Sequence, residues 1–180
     1  MASGSRERIL ENLAIAAILS FLVLLAATAS FLADAAAVDR ERGALSGLAG
    51  GSAVESAPSE FADHDFHRIY RINGGGGTSF GAVFTLGSAS GTVLAAAIFS
   101  PQGELDAVKA LGDCAPRLAE AGPQWFSDFL GKGSTQAYPA SKGASRRPAA
   151  VSGATESLLS TGETLSRLSA AVRAAAKEHP

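Results

Sequence analysis

The residues best suited to chemistry are Ser152-Gly153-Ala154-Thr155, which stand directly before a segment with helical periodicity. The first amide groups of a helix have no partner within the helix, and the helix dipole favours an anion at that end. A hydroxyl that follows a glycine at a helix start is therefore well placed to carry a phosphate. The same residues also suit an ordinary N-cap, in which a Ser or Thr oxygen accepts a hydrogen bond from a free amide. The residues alone leave both interpretations open.

Two other stretches contain residue types that bind ligands. Asp63, His64, Asp65 and His67 offer carboxylate and imidazole groups, but no further cluster of ligands stands elsewhere in the sequence. We therefore predict no metal site and interpret this stretch as a solvated entrance to the folded domain. The four glycines of 74–77 lack the strand, loop, lysine and helix of a phosphate-binding loop, so we predict a connection between two strands.

Composition and charge exclude several classes of function. The chain has 15 basic and 17 acidic residues, a net charge of −2 and no long basic run, so we predict no nucleic-acid partner. Cys114 is the single cysteine, which rules out an internal disulfide, a thiolate metal cluster and a paired-cysteine redox motif. No Ser-His-Asp set or activated carboxylate pair stands out, and we predict no catalytic residue acting alone.

A long apolar segment near the N-terminus predicts a membrane anchor. Leu13 to Leu32 is a run of 20 residues without a charge, which as a helix matches a hydrocarbon layer about 30 Å thick. The apolar part of a cleaved signal peptide, the alternative, is usually shorter, at about 7–15 residues. We predict an uncleaved transmembrane helix over 13–34, and we expect this helix to contact the membrane lipid.

The orientation of the anchor follows weakly from its flanks. Two arginines precede the apolar segment and two follow it, so the count of basic residues is a tie. The preceding pair, Arg6 and Arg8, lies closer to the apolar segment, and the acidic Asp34 and Asp39 lie on the other side. This pattern leans towards residues 1–12 in the cytoplasm and the domain on the periplasmic side of a cell inner membrane.

The remaining chain predicts a connector over 35–60 and one small α+β domain over 61–180. This stretch is rich in Ala, Gly and Ser, and we interpret it as a juxtamembrane helix end followed by a flexible connector. Apolar or alternating runs separated by turn residues predict an antiparallel sheet with strands at 67–72, 80–86, 92–99 and 105–111. A short helix at 125–130, with Phe126, Phe129 and Leu130 on one face, and a final helix over about 156–177 are expected to flank this sheet.

The motif at 152–155 and the segment Trp125-Phe126-x-x-Phe129-x-Gly131-Lys132 together resemble the FMN-binding domain family. This family includes RnfG of the Rnf complex and NqrC of the sodium-pumping NADH:quinone reductase. The resemblance covers about residues 67–175, and an anchor before the domain is also the layout of the family. It implies covalent FMN, joined through its phosphate to Thr155, with Ser152, Gly153 and Ala154 completing the motif. Trp125 and Phe126 are then expected either to contact the flavin ring or to pack in the core.

The same resemblance implies a function. The chain is expected to be an electron-transfer subunit of a membrane-bound, ion-translocating ferredoxin:NAD oxidoreductase, working with the other membrane subunits of an Rnf-type complex. It would be a redox subunit of this translocase and would not be catalytic alone. Ala149 stands where the family has Asp, which motivates an alternative: a flavin-free structural or assembly subunit of such a complex. A stand-alone, membrane-tethered binding domain is a third hypothesis.

Overall fold

The structure of the protein is a computed structural model, and it describes residues 3–55, 58–88, 91–112, 123–133, 136–138 and 155–178. The chain divides into two compact units, Met1–Arg40 and Glu41–Pro180, which are described one at a time. Helix α1, Ser3–Leu48, makes up the described part of the first unit and continues into the second.

The first unit contains a helix that is long and apolar enough to span a membrane, the one such helix among the described residues. Every side chain from Ile15 to Ala36 is exposed, and large apolar residues occur on all sides of the helix. An apolar surface on all sides is typical of a helix that spans a membrane. The Thr28 hydroxyl donates to the carbonyls of Leu24 and Leu25, at 3.0 and 2.9 Å, so this polar group is satisfied within the helix.

The second unit is built on an antiparallel sheet. Its four longer strands, each paired with the next along the chain, are β3 (Arg68–Gly74), β4 (Gly77–Ser88), β5 (Gly91–Phe99) and β6 (Leu105–Leu111). Two short strands, β1 (Ala53–Val54) and β2 (Ser59–Glu60), both pair with β3. This confirms the predicted antiparallel strands, since the four sequence runs lie within the four long strands apart from His67, just before β3.

The turns of the sheet follow from glycine and proline. Gly74 pairs with Gly77, so two of the four glycines form the tip of the β3–β4 hairpin. After β5, the Gly103 amide donates to the Ser100 carbonyl at 2.9 Å, and Gly103 has a φ of 82°. Pro101 presets the turn and glycine accepts the positive φ, as predicted from the sequence.

One face of the sheet packs against the C-terminal helix α2, Thr155–Glu178. Every second residue along the strands contributes to the sheet side of this core, among them Phe80, Phe84 and Phe99. Leu165, Leu168, Val172 and Ala175 supply the helix side, and each is at most 1% exposed. The predicted apolar spacing of the last helix is confirmed, and the described fold is α+β.

The segment 35–60, predicted to be a helix end followed by a flexible connector, is more ordered in its described part than that expectation. Helix α1 extends to Leu48, and Leu45 is fully buried against the face of the sheet opposite α2. A Cβ added at Gly81 would come 2.8 Å from both the Leu45 and the Ile72 side chains, so glycine makes room for this contact. Burial of Leu45 orders a stretch whose composition alone predicts flexibility.

The predicted short helix is a 3₁₀ helix, Pro123–Phe129. Phe126 and Phe129 are buried, whereas Leu130 is 44% exposed, although the three were expected on one face. A 3₁₀ helix has three residues per turn, which aligns positions 126 and 129 and leaves 130 to the side. Gly131 follows with a φ of 69° and ends the helix, as predicted.

Candidate functional site

Thr155 is the first residue of α2, at the end where the helix amides lack intrahelical acceptors. In the described part of α2, Leu159, Ser166 and Ala170 are exposed. The buried row of α2, which includes Leu165 and Leu168, lies on another side. Position 155 therefore lies at a helix N-terminus, the end at which free amides favour an anion.

This position fits the phosphate end of FMN. Esterification of a threonine needs a hydroxyl that a phosphate can reach. The helix N-terminus favours the negative charge that a phosphodiester keeps. A threonine in the buried row, as Thr161 and Thr164 are, would not offer such access.

The other predicted site residues divide into two groups. Ser152, Gly153 and Ala154 lie outside the described residues. Trp125 and Phe126 both belong to the 3₁₀ helix, and the Phe126 side chain lies in the hydrophobic core, 7% exposed. Core packing is thus one role of Phe126, as its helical spacing suggested.

An ionic clamp holds α2 to the segment before β3. The Arg167 guanidinium contacts the Asp65 carboxylate through Nη2, and its Nε lies 3.1 Å from Asp63 Oδ2. The Thr164 hydroxyl donates to Asp65 Oδ2 at 3.0 Å. The Asp65 carbonyl also accepts from the Thr85 amide of β4 at 2.8 Å. We call Asp63, Asp65, Thr164 and Arg167 the aspartate clamp, which fixes α2 across one edge of the core.

The aspartate clamp includes Asp63 and Asp65 of the stretch that was interpreted from the sequence as a solvated entrance, and these two side chains are only 18% and 17% exposed. One donor atom each of Asp63, His64 and Asp65 lies within 4.8 Å of the others, which a cation would require. The positive Arg167 guanidinium already contacts both carboxylates and would repel a cation there. His64 is exposed, with Nε2 3.2 Å from Asp65 Oδ1. The cluster is therefore best explained as an ionic contact with α2.

A second set of contacts holds α2 nearer to its C-terminus. The Ser169 hydroxyl lies 2.7 Å from the Gly103 carbonyl and 3.0 Å from the Gly133 carbonyl. Arg173 Nη1 donates to the Gly133 carbonyl and to Ser169 Oγ, each at 2.8 Å. These bonds join the β5–β6 turn, the loop after the 3₁₀ helix and α2. Together with the aspartate clamp, they hold the stretch of α2 from Thr164 to Arg173 to the rest of the domain.

Sequence reasoning missed the partners in both sets of contacts. Arg167 and Asp65 are 102 residues apart, and Ser169 and Gly103 are 66 apart. No local spacing links such pairs. The signal that was present is the placement of Thr164 and Ser169 among the apolar positions of the final helix, where a polar side chain needs a partner.

Two tyrosines have raised pKa values. Burial raises the pKa of the Tyr70 hydroxyl, and its 2.6 Å hydrogen bond to Glu41 Oε2 raises it further. Glu41 Oε1 in turn accepts from Arg68 Nη1 at 3.3 Å. Burial likewise raises the pKa of Tyr138, which packs beside Phe129 with ring centroids 6.4 Å apart. Both hydroxyls are therefore held in their neutral form.

Comparison with models of known protein families, with curated proteins and with solved structures gives no match for this chain.

Proposed function

We propose that this chain is a membrane-anchored electron carrier with FMN joined covalently to Thr155. The observation that supports the proposal is the coincidence of the Ser152–Thr155 motif with the start of α2 at Thr155. The phosphate would be esterified to the Thr155 hydroxyl, with loss of one water relative to free FMN. Ser152, Gly153 and Ala154 would bring the backbone to the phosphate, and Trp125 is the proposed aromatic neighbour of the ring.

The chain supplies attachment and position, and the FMN, when bound, supplies reversible electron transfer. The first turn of α2 presents free amides to the phosphate. The aspartate clamp and the Ser169 contacts hold the later turns of this helix to the rest of the domain. A covalent link suits an extracytoplasmic carrier, because FMN lost from that side of the membrane could not readily be replaced.

The cellular setting of the proposal follows from the apolar helix. We infer that α1 anchors the chain as a single-pass protein of the inner membrane, with the domain on the periplasmic side. Arg6 and Arg8, close to the apolar segment, support a cytoplasmic N-terminus. The proposed partners are the other membrane subunits of an Rnf-type complex, and the proposed complex moves electrons between ferredoxin and NAD with ion translocation.

A flavin-free structural or assembly subunit is the second candidate. Ala149 favours it, since the resembled family has Asp at this position, three residues before the motif. In this case Thr155 would serve only as a helix cap, and the sheet and α2 would serve assembly.

The test measures flavin on the chain itself. We expect the protein from its native host, after denaturation in SDS, to fluoresce as a flavoprotein and to exceed the polypeptide mass by one FMN less one water. A Thr155→Ala variant should lose both signals, because no other hydroxyl replaces the ester oxygen. The control is Thr161→Ala, a buried threonine of the same helix, which should keep the flavin. A dark wild-type band at the bare mass would instead favour the structural subunit.

A further inference from the structure

Tyr70 is a buried tyrosine whose hydroxyl donates a short hydrogen bond to a carboxylate. Its side chain is fully buried on β3, and the hydroxyl oxygen lies 2.6 Å from Glu41 Oε2. Both residues belong to the second unit. The distance is typical of a bond between a hydroxyl and an ionised carboxylate, which is about 2.5–2.7 Å long. A proton acceptor is therefore in direct contact with a phenol that is closed off from solvent.

The carboxylate of Glu41 is held in place from its other side. Its Oε1 accepts a hydrogen bond from Arg68 Nη1 at 3.3 Å, and the side chains of Arg68 and Glu41 are only 13% and 22% exposed. One oxygen thus faces the guanidinium and the other faces Tyr70. This arrangement fixes the orientation of the carboxylate, so that Oε2 is already placed to receive the proton of the phenol.

This geometry matters for the oxidation of the tyrosine. A phenol that loses one electron becomes a strong acid, so its proton has to leave with the electron. In a buried site a trapped positive charge is costly, since water is not there to solvate it. A carboxylate within hydrogen-bond reach can take the proton along the existing bond. Burial and the bond to Glu41 raise the pKa of Tyr70, so the phenol keeps its proton until an electron is removed.

We propose that Tyr70 is a redox-active tyrosine with Glu41 as its proton acceptor. A one-electron oxidant, either a high-potential metal complex or an oxidising radical, takes one electron from the phenol. The O–H bond of Tyr70 breaks and its proton forms an O–H bond with Glu41 Oε2, which leaves a neutral tyrosyl radical beside a neutral carboxylic acid. A one-electron reductant returns the electron, and the proton moves back to the phenol. The inference does not depend on FMN at Thr155.

Tyr138 provides the comparison within the same chain. It is the second of two tyrosines and is 1% exposed, so its burial matches that of Tyr70. The groups that act on its hydroxyl include the Ser169 hydroxyl and the Arg173 guanidinium. A guanidinium accepts no proton and its positive charge opposes a second one nearby. Oxidation of Tyr138 should therefore be less favourable than oxidation of Tyr70.

The experiment generates the radical in the full chain, purified in detergent. Photogenerated tris(bipyridine)ruthenium(III) is the oxidant, and electron paramagnetic resonance of frozen samples counts the radicals. Ring-deuterated tyrosine in the chain changes the spectrum of a tyrosyl radical and so distinguishes it from tryptophan or flavin radicals. Tyr138→Phe should keep the wild-type tyrosyl signal, whereas Tyr70→Phe should lose most of it. Formation of the radical in Tyr138→Phe should slow in D₂O, because the proton moves with the electron.

Two glutamate variants test the acceptor. Glu41→Gln keeps an oxygen that can accept the hydrogen bond of Tyr70 but cannot take its proton, so it should lose most of the tyrosyl signal. Glu55→Gln is the matched control, since Glu55 is a carboxylate of the same unit that contacts Asn73 and Arg71. It should keep the full signal.

The outcomes decide each part of the inference. A wild-type chain without a tyrosyl radical, or equal signals in Tyr70→Phe and Tyr138→Phe, would overturn the assignment to Tyr70. A folded Glu41→Gln chain with the full signal would overturn the role of Glu41. Where Glu41→Gln does not fold, the D₂O effect in Tyr138→Phe decides instead, and an unchanged rate contradicts coupled proton transfer. A chain without FMN that still forms the radical on Tyr70 would overturn only the proposed function.

Discussion

Gly133 stands at a crowded junction between the loop after the 3₁₀ helix, the β5–β6 turn and α2. Its φ is 117°, a value that L side chains rarely adopt. A Cβ at this position would overlap the Gly103 carbonyl and the Tyr138 hydroxyl, and would lie 2.9 Å from Tyr138 Cζ. Its carbonyl meanwhile accepts from Arg173 and Ser169. Both the backbone conformation and the space therefore require glycine.

Gly133→Ala should lower the free energy of unfolding by about 3 kcal/mol, because positive φ and overpacking add their costs. Gly131→Ala is the matched control, since Gly131 has a φ of 69° but nothing within 4 Å of an added Cβ. It should cost about 1 kcal/mol, the backbone cost alone. Denaturant titrations of the full chain in detergent, followed by fluorescence of the single Trp125, measure both values. Equal losses in the two variants would contradict the crowding at Gly133.

The aspartate clamp belongs to the scale of elements, because it joins α2 to the segment that leads into β3. Asp63 and Asp65 are 18% and 17% exposed and Arg167 is 40% exposed, so the ionic contact is only partly solvated. Such a contact is worth more than a surface ion pair, but it also carries a desolvation cost. Its main effect is to fix which way α2 faces the sheet.

A double-mutant cycle of Asp65→Asn and Arg167→Gln should give a coupling energy of about 1–2 kcal/mol in the free energy of unfolding. Either single variant removes the contact between Asp65 and Arg167, although Asp63 still faces Arg167 in Asp65→Asn. The sum of the two single losses should therefore exceed the loss measured in the double variant. The measurement is the same denaturant titration of the full chain. Lys177→Gln, at an exposed position near the end of α2, provides a control that should change stability by less than about 0.5 kcal/mol. Additive single effects would show that the clamp contributes no coupling.

The strands and α2 could be predicted from the sequence because their signal is local. Alternating and apolar runs gave β6 with its observed bounds, and the predicted start of the last helix differs by one residue from Thr155. The ordered structure within 35–60 could not be predicted, because Leu45 packs beside Gly81 and Ile72, which are distant in sequence. Likewise, the start of α2 near Thr155 was predicted, but the contacts of Arg167 and Ser169 that hold this helix to the domain are tertiary contacts with residues distant in sequence.

At the scale of the molecule, both tyrosines of the chain are buried in the second unit. They lie on opposite faces of its sheet. Tyr138 joins the core cluster with α2, and Tyr70 lies on the face that also buries Ile72 and Leu45. Their hydroxyls therefore report on two separate packing layers, one containing α2 and the other the end of α1. Loss of either layer would bring one of the two hydroxyls into water.

Stability of the domain should fall as the pH rises above about 10, the ordinary tyrosine pKa that applies to the unfolded chain. The folded pKa values of Tyr70 and Tyr138 are raised by burial, so the unfolded chain loses these protons first. Their stabilising effect is complete below the unfolded pKa and is lost as the pH rises towards the folded one. Each tyrosine contributes at most about 1.4 kcal/mol per pH unit in this range.

Denaturant titrations between pH 8 and pH values above 10 measure this loss, and tyrosinate absorbance should appear only together with unfolding. Tyr70→Phe and Tyr138→Phe should each remove about half of the alkaline slope, because the phenyl ring keeps the packing but has no proton to lose. The lysines titrate in the same range in every variant, so the slope of the double Phe variant supplies the baseline. Tyrosinate absorbance from the folded wild-type chain near pH 10 would show that one packing layer admits water.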